Sequence, residues 1–216
     1  MTVAIAVAPH PLLEVGAFVT RLPAPLGELS WSAAEAGAAA TPPPALGPVT
    51  DPVRAAVRAL LRHGGYKPSG RGKPASEYLV QAATEGRFPA VNAVVDVCNH
   101  VSLHAGLPVS VVDLDLATPP FRIAVCAPGT SYVFNPSGQV IDASGLCALL
   151  DAAGPAGTPV KDAQRTKTHA ATRAVVSIVW GSRDLPDRTA VATRWYRALS
   201  ATIAGAVVED VALTSG

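Results

Sequence analysis

Two histidines one helical turn apart, His100 and His104, stand at a spacing that can grip a zinc ion. The glutamate and the third ligand of a zinc hydrolase are missing, however, and Cys98 points to another face of the same helix, so no bound metal is expected. Asp113 and Asp115 alternate in a strand-like pattern and could hold magnesium, but no further acid joins them there. A G-x-S-x-G elbow is absent and no cysteine has an evident histidine partner, which leaves no sign of covalent catalysis. The K-P-S-G-R-G-K-P run at 67–74 is not a phosphate-binding P-loop, because its glycine spacing fails and Pro74 stands where Ser or Thr is required. What remains is positive charge. Arg54, Arg58 and Arg62 recur every four residues on one helix face, at a cost of roughly 0.2–0.5 kcal/mol per like-charged pair. A solvated face tolerates that cost; an anionic partner would offset it. Lys67, Arg71 and Lys73 extend the charge into the following loop, and a second polar run, K-D-A-Q-R-T-K-T-H at 161–169, carries Asp162, Arg165, Thr166 and Lys167. By residue type alone that run reads as a solvated loop.

The elements that must position these groups centre on Asn92 to Asp115. Val94, Val97, Val101 and Ala105 repeat at helical spacing with Cys98 beside them, Asn92 caps the start, and Gly106 suits a left-handed end before Leu107-Pro108. Five residues of this helix are valine or cysteine, which local propensity disfavours, so tertiary burial must hold it. Val109, Val111 and Val112 then favour a strand. Asp96, Asn99 and His100, on the polar helix face, are expected to point back toward the strand that carries Ser110 and Asp113.

Strands are expected at Val3 to Val7 and Val15 to Val19 around a His10-Pro11 turn, with a helix that starts at Asp51-Pro52 and carries the arginine stripe, and a second, short helix at about Ser76 to Glu85. Further strands are expected at 121–127, 132–134 and 139–141, the last after an Asn135-Pro136-Ser137-Gly138 turn. The pattern then gives a helix at 146–153, a buried strand at 174–180, an amphipathic helix at 187–204 and a closing strand at 206–213. Ala33 to Pro48, rich in Ala, Gly and Pro, reads as a solvent-side or flexible connection. The mixture indicates one α+β domain spanning 1–216.

Hydrophobic residues make up 49% of the 216 but aromatics only 5%, and the mean hydropathy is +0.30. No run approaches the ~18 consecutive apolar residues of a membrane helix, no secretory leader is evident, and three unpaired cysteines fit a reducing cytoplasm. The net charge of +1 hides a segregation: residues 51–73 carry six Lys or Arg against one acid, and 161–173 carry four against one. Residues 74–160 carry two against seven. Two basic segments can form a local patch for an anionic polymer.

The segment V-V-D-V-C-N-H-V-S-L-H-A-G-L-P-V-S-V-V-D resembles the V-D-x-T-N-Y-V-x-L-E-x-G-Q-P-x-H-A-F-D segment of the phenylalanyl-tRNA synthetase β subunit, within its tRNA-editing B3/B4 domain. Asp96, Asn99, Val101, Leu103, Gly106, Pro108 and Asp113 stand in register. Free-standing proteins made of this domain are more similar still, with a basic helix, a segment like P-A-S-E-Y-L, and a late segment like Asp162 to Thr168. The resemblance implies mixed β-sheets in a sandwich-like α+β core with flanking helices. It also implies a partner, the aminoacylated 3′ end of tRNA, with neither DNA nor a membrane, and no cofactor. The implied activity is hydrolysis of a mischarged aminoacyl-tRNA in trans, in the cytoplasm, with no capacity to activate an amino acid. Asn99 matches a pocket position and Ser110 replaces the family's histidine, giving the catalytic candidates; Cys98 replaces a neighbouring threonine. Cys98, Asp113, Asp162 and Thr166 are the substrate-binding candidates. Arg54, Arg58, Arg62, Lys67, Arg71, Lys73, Arg165 and Lys167 are the tRNA-binding ones. The alternatives are a module that binds tRNA or an amino acid without hydrolysis, and a small-molecule enzyme using the same pocket.

Overall fold

The most apolar stretch of the chain becomes the most enclosed. The computed structural model describes residues 2–216. Five α-helices and eleven strands are found among them, namely α1 (Ala33–Ala36), α2 (Asp51–Arg62), α3 (Ala75–Thr84), α4 (Ala93–Ala105) and α5 (Arg188–Ser200), with strands β1 (Ala4–Val7), β2 (Leu13–Arg21), β3 (Val109–Asp113), β4 (Phe121–Val125), β5 (Ser131–Val133), β6 (Val140–Asp142), β7 (Cys147–Asp151), β8 (Gly154–Gly157), β9 (Ala174–Ser182), β10 (Val207–Asp210) and β11 (Ala212–Ser215). All nine residues of β9 are buried. It lies inside a four-stranded antiparallel sheet ordered β10-β2-β9-β3. A second, mixed sheet is ordered β11-β1-β4-β7-β8, with β1 parallel to both neighbours, and β5–β6 form a separate hairpin. The architecture is α+β, and no helix among the described residues is long and apolar enough to cross a membrane.

Helix α4 forms as its ends dictate. The Asn92 side chain accepts from the Val95 N–H, and Gly106 takes the left-handed conformation (φ 66°). Val94, Val97 and Val101 are buried, so burial offsets their poor propensity. Helix α5 sits flush on the four-stranded sheet because Gly16 and Gly181 lie beneath Thr193 and Thr189, where any Cβ would collide. Tyr196 Oη accepts from Ser177 Oγ at 3.0 Å across that contact.

Three expected elements come out differently. Residues 146–153 contain the strand β7, not a helix: Cys147, Ala148 and Leu149 are buried where β7 pairs with β4 and β8, and a short apolar run cannot distinguish the two states locally. The single closing strand is two, because the chain leaves β2 at Asp210 and joins β1 from Ala212, linking the two large sheets. The 33–48 stretch folds into α1 and two short 3-10 turns with Ala40 and Leu46 buried. Its carbonyls accept from the body: Ala39 O from Trp195 Nε1 (2.8 Å), Ala40 O from His100 Nε2 (2.9 Å), and Leu46 O from Arg188. Glycine and proline spacing marked a break in regular structure; it did not reveal these long-range acceptors.

Candidate functional site

Residues 95, 98 and 99 share one face of α4, and alternate residues of β3 share one face of that strand. Val95, Cys98 and Asn99 therefore meet Val109 and Val111 across a cavity of about 320 Å³. Ala75 and Val91 extend its apolar wall, while Thr158, Lys161, Asp162, Lys167 and Thr168 bring the polar groups. Asp162 is clipped to the edge of β3: its two carboxylate oxygens accept from Val111 N (3.0 Å) and Thr158 N (3.1 Å). Burial pushes the Asp162 carboxyl up to about 6, against the pull of these hydrogen bonds and of Lys167. Lys167 donates to Phe134 O at 2.5 Å, and burial lowers its ammonium pKa against the opposing effect of Asp162. The cavity thus combines an apolar wall with an amide, an acid near neutrality and two ammonium groups.

Of the other pocket candidates, Cys98 shares this cavity and the rest are not among its lining residues. Cys98 is an apolar wall residue whose thiol donates weakly to Val109 O at 3.9 Å and is pushed well up by burial. Ser110 points away from the cavity-facing Val109 and Val111. Its hydroxyl donates to Thr158 O (3.1 Å) and accepts from Trp180 Nε1 (2.9 Å), with no exposed surface. Asp113, also fully buried, accepts from Thr172 Oγ1 and Asp115 N and lies 3.5 Å from His169. The strand ends there, so Asp115 sits exposed in a turn, not beside Asp113 as a second ligand. Thr166 is buried and donates to Ala156 O at 2.9 Å. His100 turns to the opposite side of α4 from β3, with its ring 5.6 Å from Trp31, 5.5 Å from Trp195 and 4.7 Å from His104. Among the described residues no three His, Cys, Asp or Glu converge as a metal site.

This arrangement of strands and helices has a structural precedent. Over its whole length the chain matches 52% of an N-terminal fragment of the phenylalanyl-tRNA synthetase β subunit from Pyrococcus horikoshii, with a TM-score of 0.58 and 9% identity. At that identity the likeness is one of fold, and the chain spans about half of the matched fragment. No family model matches the chain, and no curated protein does.

The basic residues divide by partner. Arg54 pairs with Asp51 (2.6 Å), and Arg58 makes a two-pronged pair with Glu77 (2.6 and 2.7 Å), so two members of the arginine stripe have intramolecular anions. Arg62 is exposed. Arg165 grips Asp151 through two bonds of 2.7 and 2.6 Å, with further bonds to Gly154 O and Pro155 O. By contrast, Lys67, Arg71, Lys73, Lys161 and Lys167 form no ion pair among the described residues. Lys67 and Arg71 line a polar cleft of about 490 Å³ with Tyr66, Asp142 and Ser144. Lys161 and Thr158 line the cavity but stand outside the sequence candidates: Lys161 directly precedes Asp162 in the 161–169 run, whereas Thr158 carries no local signal.

Proposed function

We propose that this chain binds the aminoacylated 3′ end of a tRNA and hydrolyses a mischarged aminoacyl ester in trans, as a single cytoplasmic domain of the sandwich-like B3/B4 kind. The observation that carries the reading is the convergence of Asn99, Asp162 and Lys167 in one apolar-walled cavity. The Asp162 carboxylate takes a proton from water as that water adds to the ester carbonyl. The Asn99 amide orients the carbonyl, and the Lys167 ammonium stabilises the developing oxyanion. Asp162 then returns that proton to the ribose oxygen as its bond to the carbonyl carbon breaks, releasing the amino acid and a tRNA with a free hydroxyl. An ester so activated asks mainly for positioning, which suits a site with no metal or covalent nucleophile in the proposal. Lys67, Arg71 and Lys73 contact the tRNA backbone.

Deacylation of a panel of mischarged tRNAs tests this. At least one should be hydrolysed, and Asn99→Ala should slow it ~10²-fold, the scale of a lost oriented donor, with folding intact. A panel left untouched sinks the hydrolytic reading. A binding module without chemistry then takes its place. The engaged, enclosed hydroxyl of Ser110, at the position of the family's histidine, favours that second reading.

A further inference from the structure

Lys161 is an ammonium held without a counter-ion among the described residues. Its Nζ lies 4.3 Å from the centroid of the Phe134 ring and 5.1 Å from that of Tyr78, whose ring also carries Lys73 Nζ at 4.8 Å. Tyr78 is itself fixed, donating to Gly70 O at 2.9 Å in the loop that bears Arg71. The rings hold the lysine stem and attract its charge, but they neutralise nothing. No carboxylate among the described residues pairs with Lys161, Lys73 or Arg71. Burial lowers the Lys161 ammonium pKa, and the nearby charges of Arg71 and Lys167 lower it further. Cations brought together against their own repulsion, on fixed aromatic supports, form a site preorganised for an anion.

The cavity's contents say which anion. Resting on the reading that an aminoacyl ester enters the cavity, the acyl group and the terminal ribose bring no negative charge, because the carboxyl is esterified. The first anion along the RNA is the phosphodiester on the 5′ side of the terminal nucleoside. Lys161 lines the cavity and reaches Tyr78 beside the Lys67–Lys73 loop, where the RNA chain would leave. We propose that Lys161, supported by Tyr78 and Phe134 and flanked by Lys73, is a positioning residue that clamps this 3′-terminal phosphodiester and so selects polynucleotide esters over simple ones.

The test uses Lys161→Met, which keeps the stem over the rings, and Lys161→Arg, which keeps the charge. The probes are the trinucleotide CpCpA, its 3′-aminoacyl ester, and an aminoacyl-adenosine that lacks phosphate. Lys161→Met should weaken CpCpA binding and raise KM for its ester about tenfold, the scale of one charge-assisted hydrogen bond, with kcat unchanged. It should leave aminoacyl-adenosine hydrolysis unaffected, and the binding slope against salt should fall by about 0.7. Lys161→Arg should restore most of the affinity. Equal losses on both esters, or unchanged CpCpA affinity, would overturn the clamp, as would wild-type protein that does not bind CpCpA. If wild type cleaves no ester, the hydrolytic reading fails alone, and the CpCpA titration still decides the clamp.

Discussion

Replacing Arg165 by Met tests whether a cation expected to meet tRNA instead holds the fold. The Asp151 side chain has no exposed surface, while the Arg165 side chain retains 35% of its own. Removing the guanidinium strands a buried carboxylate, a change that costs roughly 3–5 kcal/mol when a pair is fully enclosed. Two features reduce the figure here. Solvent screens the exposed part of the guanidinium, and Asp151 keeps hydrogen bonds from Thr118 N (2.9 Å) and Ala153 N (2.8 Å). A loss of about 2–3 kcal/mol follows, which for a chain of this size lowers Tm by roughly 5–10 °C. The pH dependence gives a second reading. Burial pushes the Asp151 carboxyl up, but the Arg165 and backbone hydrogen bonds outweigh it and hold the group below its ordinary value. Such a carboxylate contributes stability above its unfolded pKa and loses it as pH falls through the folded one. The gap between wild type and Arg165→Met should therefore be wider at pH 7 than at pH 3, an assay pH below the ordinary carboxylate value of about 3.9. Urea unfolding at both pH values, beside a tRNA titration, reads both effects. A stability change under about 0.5 kcal/mol, together with a salt slope reduced by about one contact, would refute the reasoning and return Arg165 to the RNA.

Replacing Lys67, Arg71 and Lys73 together should flatten the salt dependence of tRNA affinity by roughly 2 log units per log of salt, whereas Arg58→Ala should act mainly on stability because Glu77 already holds it; identical slopes for wild type and the triple variant would send the search for the RNA surface elsewhere. Hydrolysis should rise as pH passes about 6, where Asp162 ionises, and a rate flat from pH 5 to 7 would remove Asp162 as the base. The same raised value stabilises the fold fully below pH ~3.9 and is lost as pH rises through about 6, by up to ~3 kcal/mol, an effect that Asp162→Asn should abolish. Chelator-treated protein should keep its fold and activity, since His100 already spends Nε2 on Ala40 O; stoichiometric zinc lost on His104→Ala would contradict this.

Helix α4 was legible because its determinants are local: Asn92 reaches Val95, Gly106 adopts the one conformation it favours, and the valine spacing marks the buried face. The start of α2 at Asp51 and the burial of the 174–180 strand within β9 followed for the same reason. Residues 146–153 were not legible, because a few apolar residues suit a strand or a helix equally until β4 and β8 supply partners. The site shows the same division. Asn99, Cys98, Asp162 and Lys167 are named by residue type and by resemblance, and they do share one cavity. Ser110 could not be assigned to a side of β3 from the pattern, since all five residues of that strand are buried and neither face is polar. The sequence alone determined where the positive charge is concentrated and how much of it there is. Which cations stay unpaired among the described residues was decided by folding, which brings Glu77 to Arg58 and Asp151 to Arg165 across many residues and brings no described acid to pair with Lys161. Charge is a property of each residue, but its neutralisation depends on distances that only the tertiary structure sets.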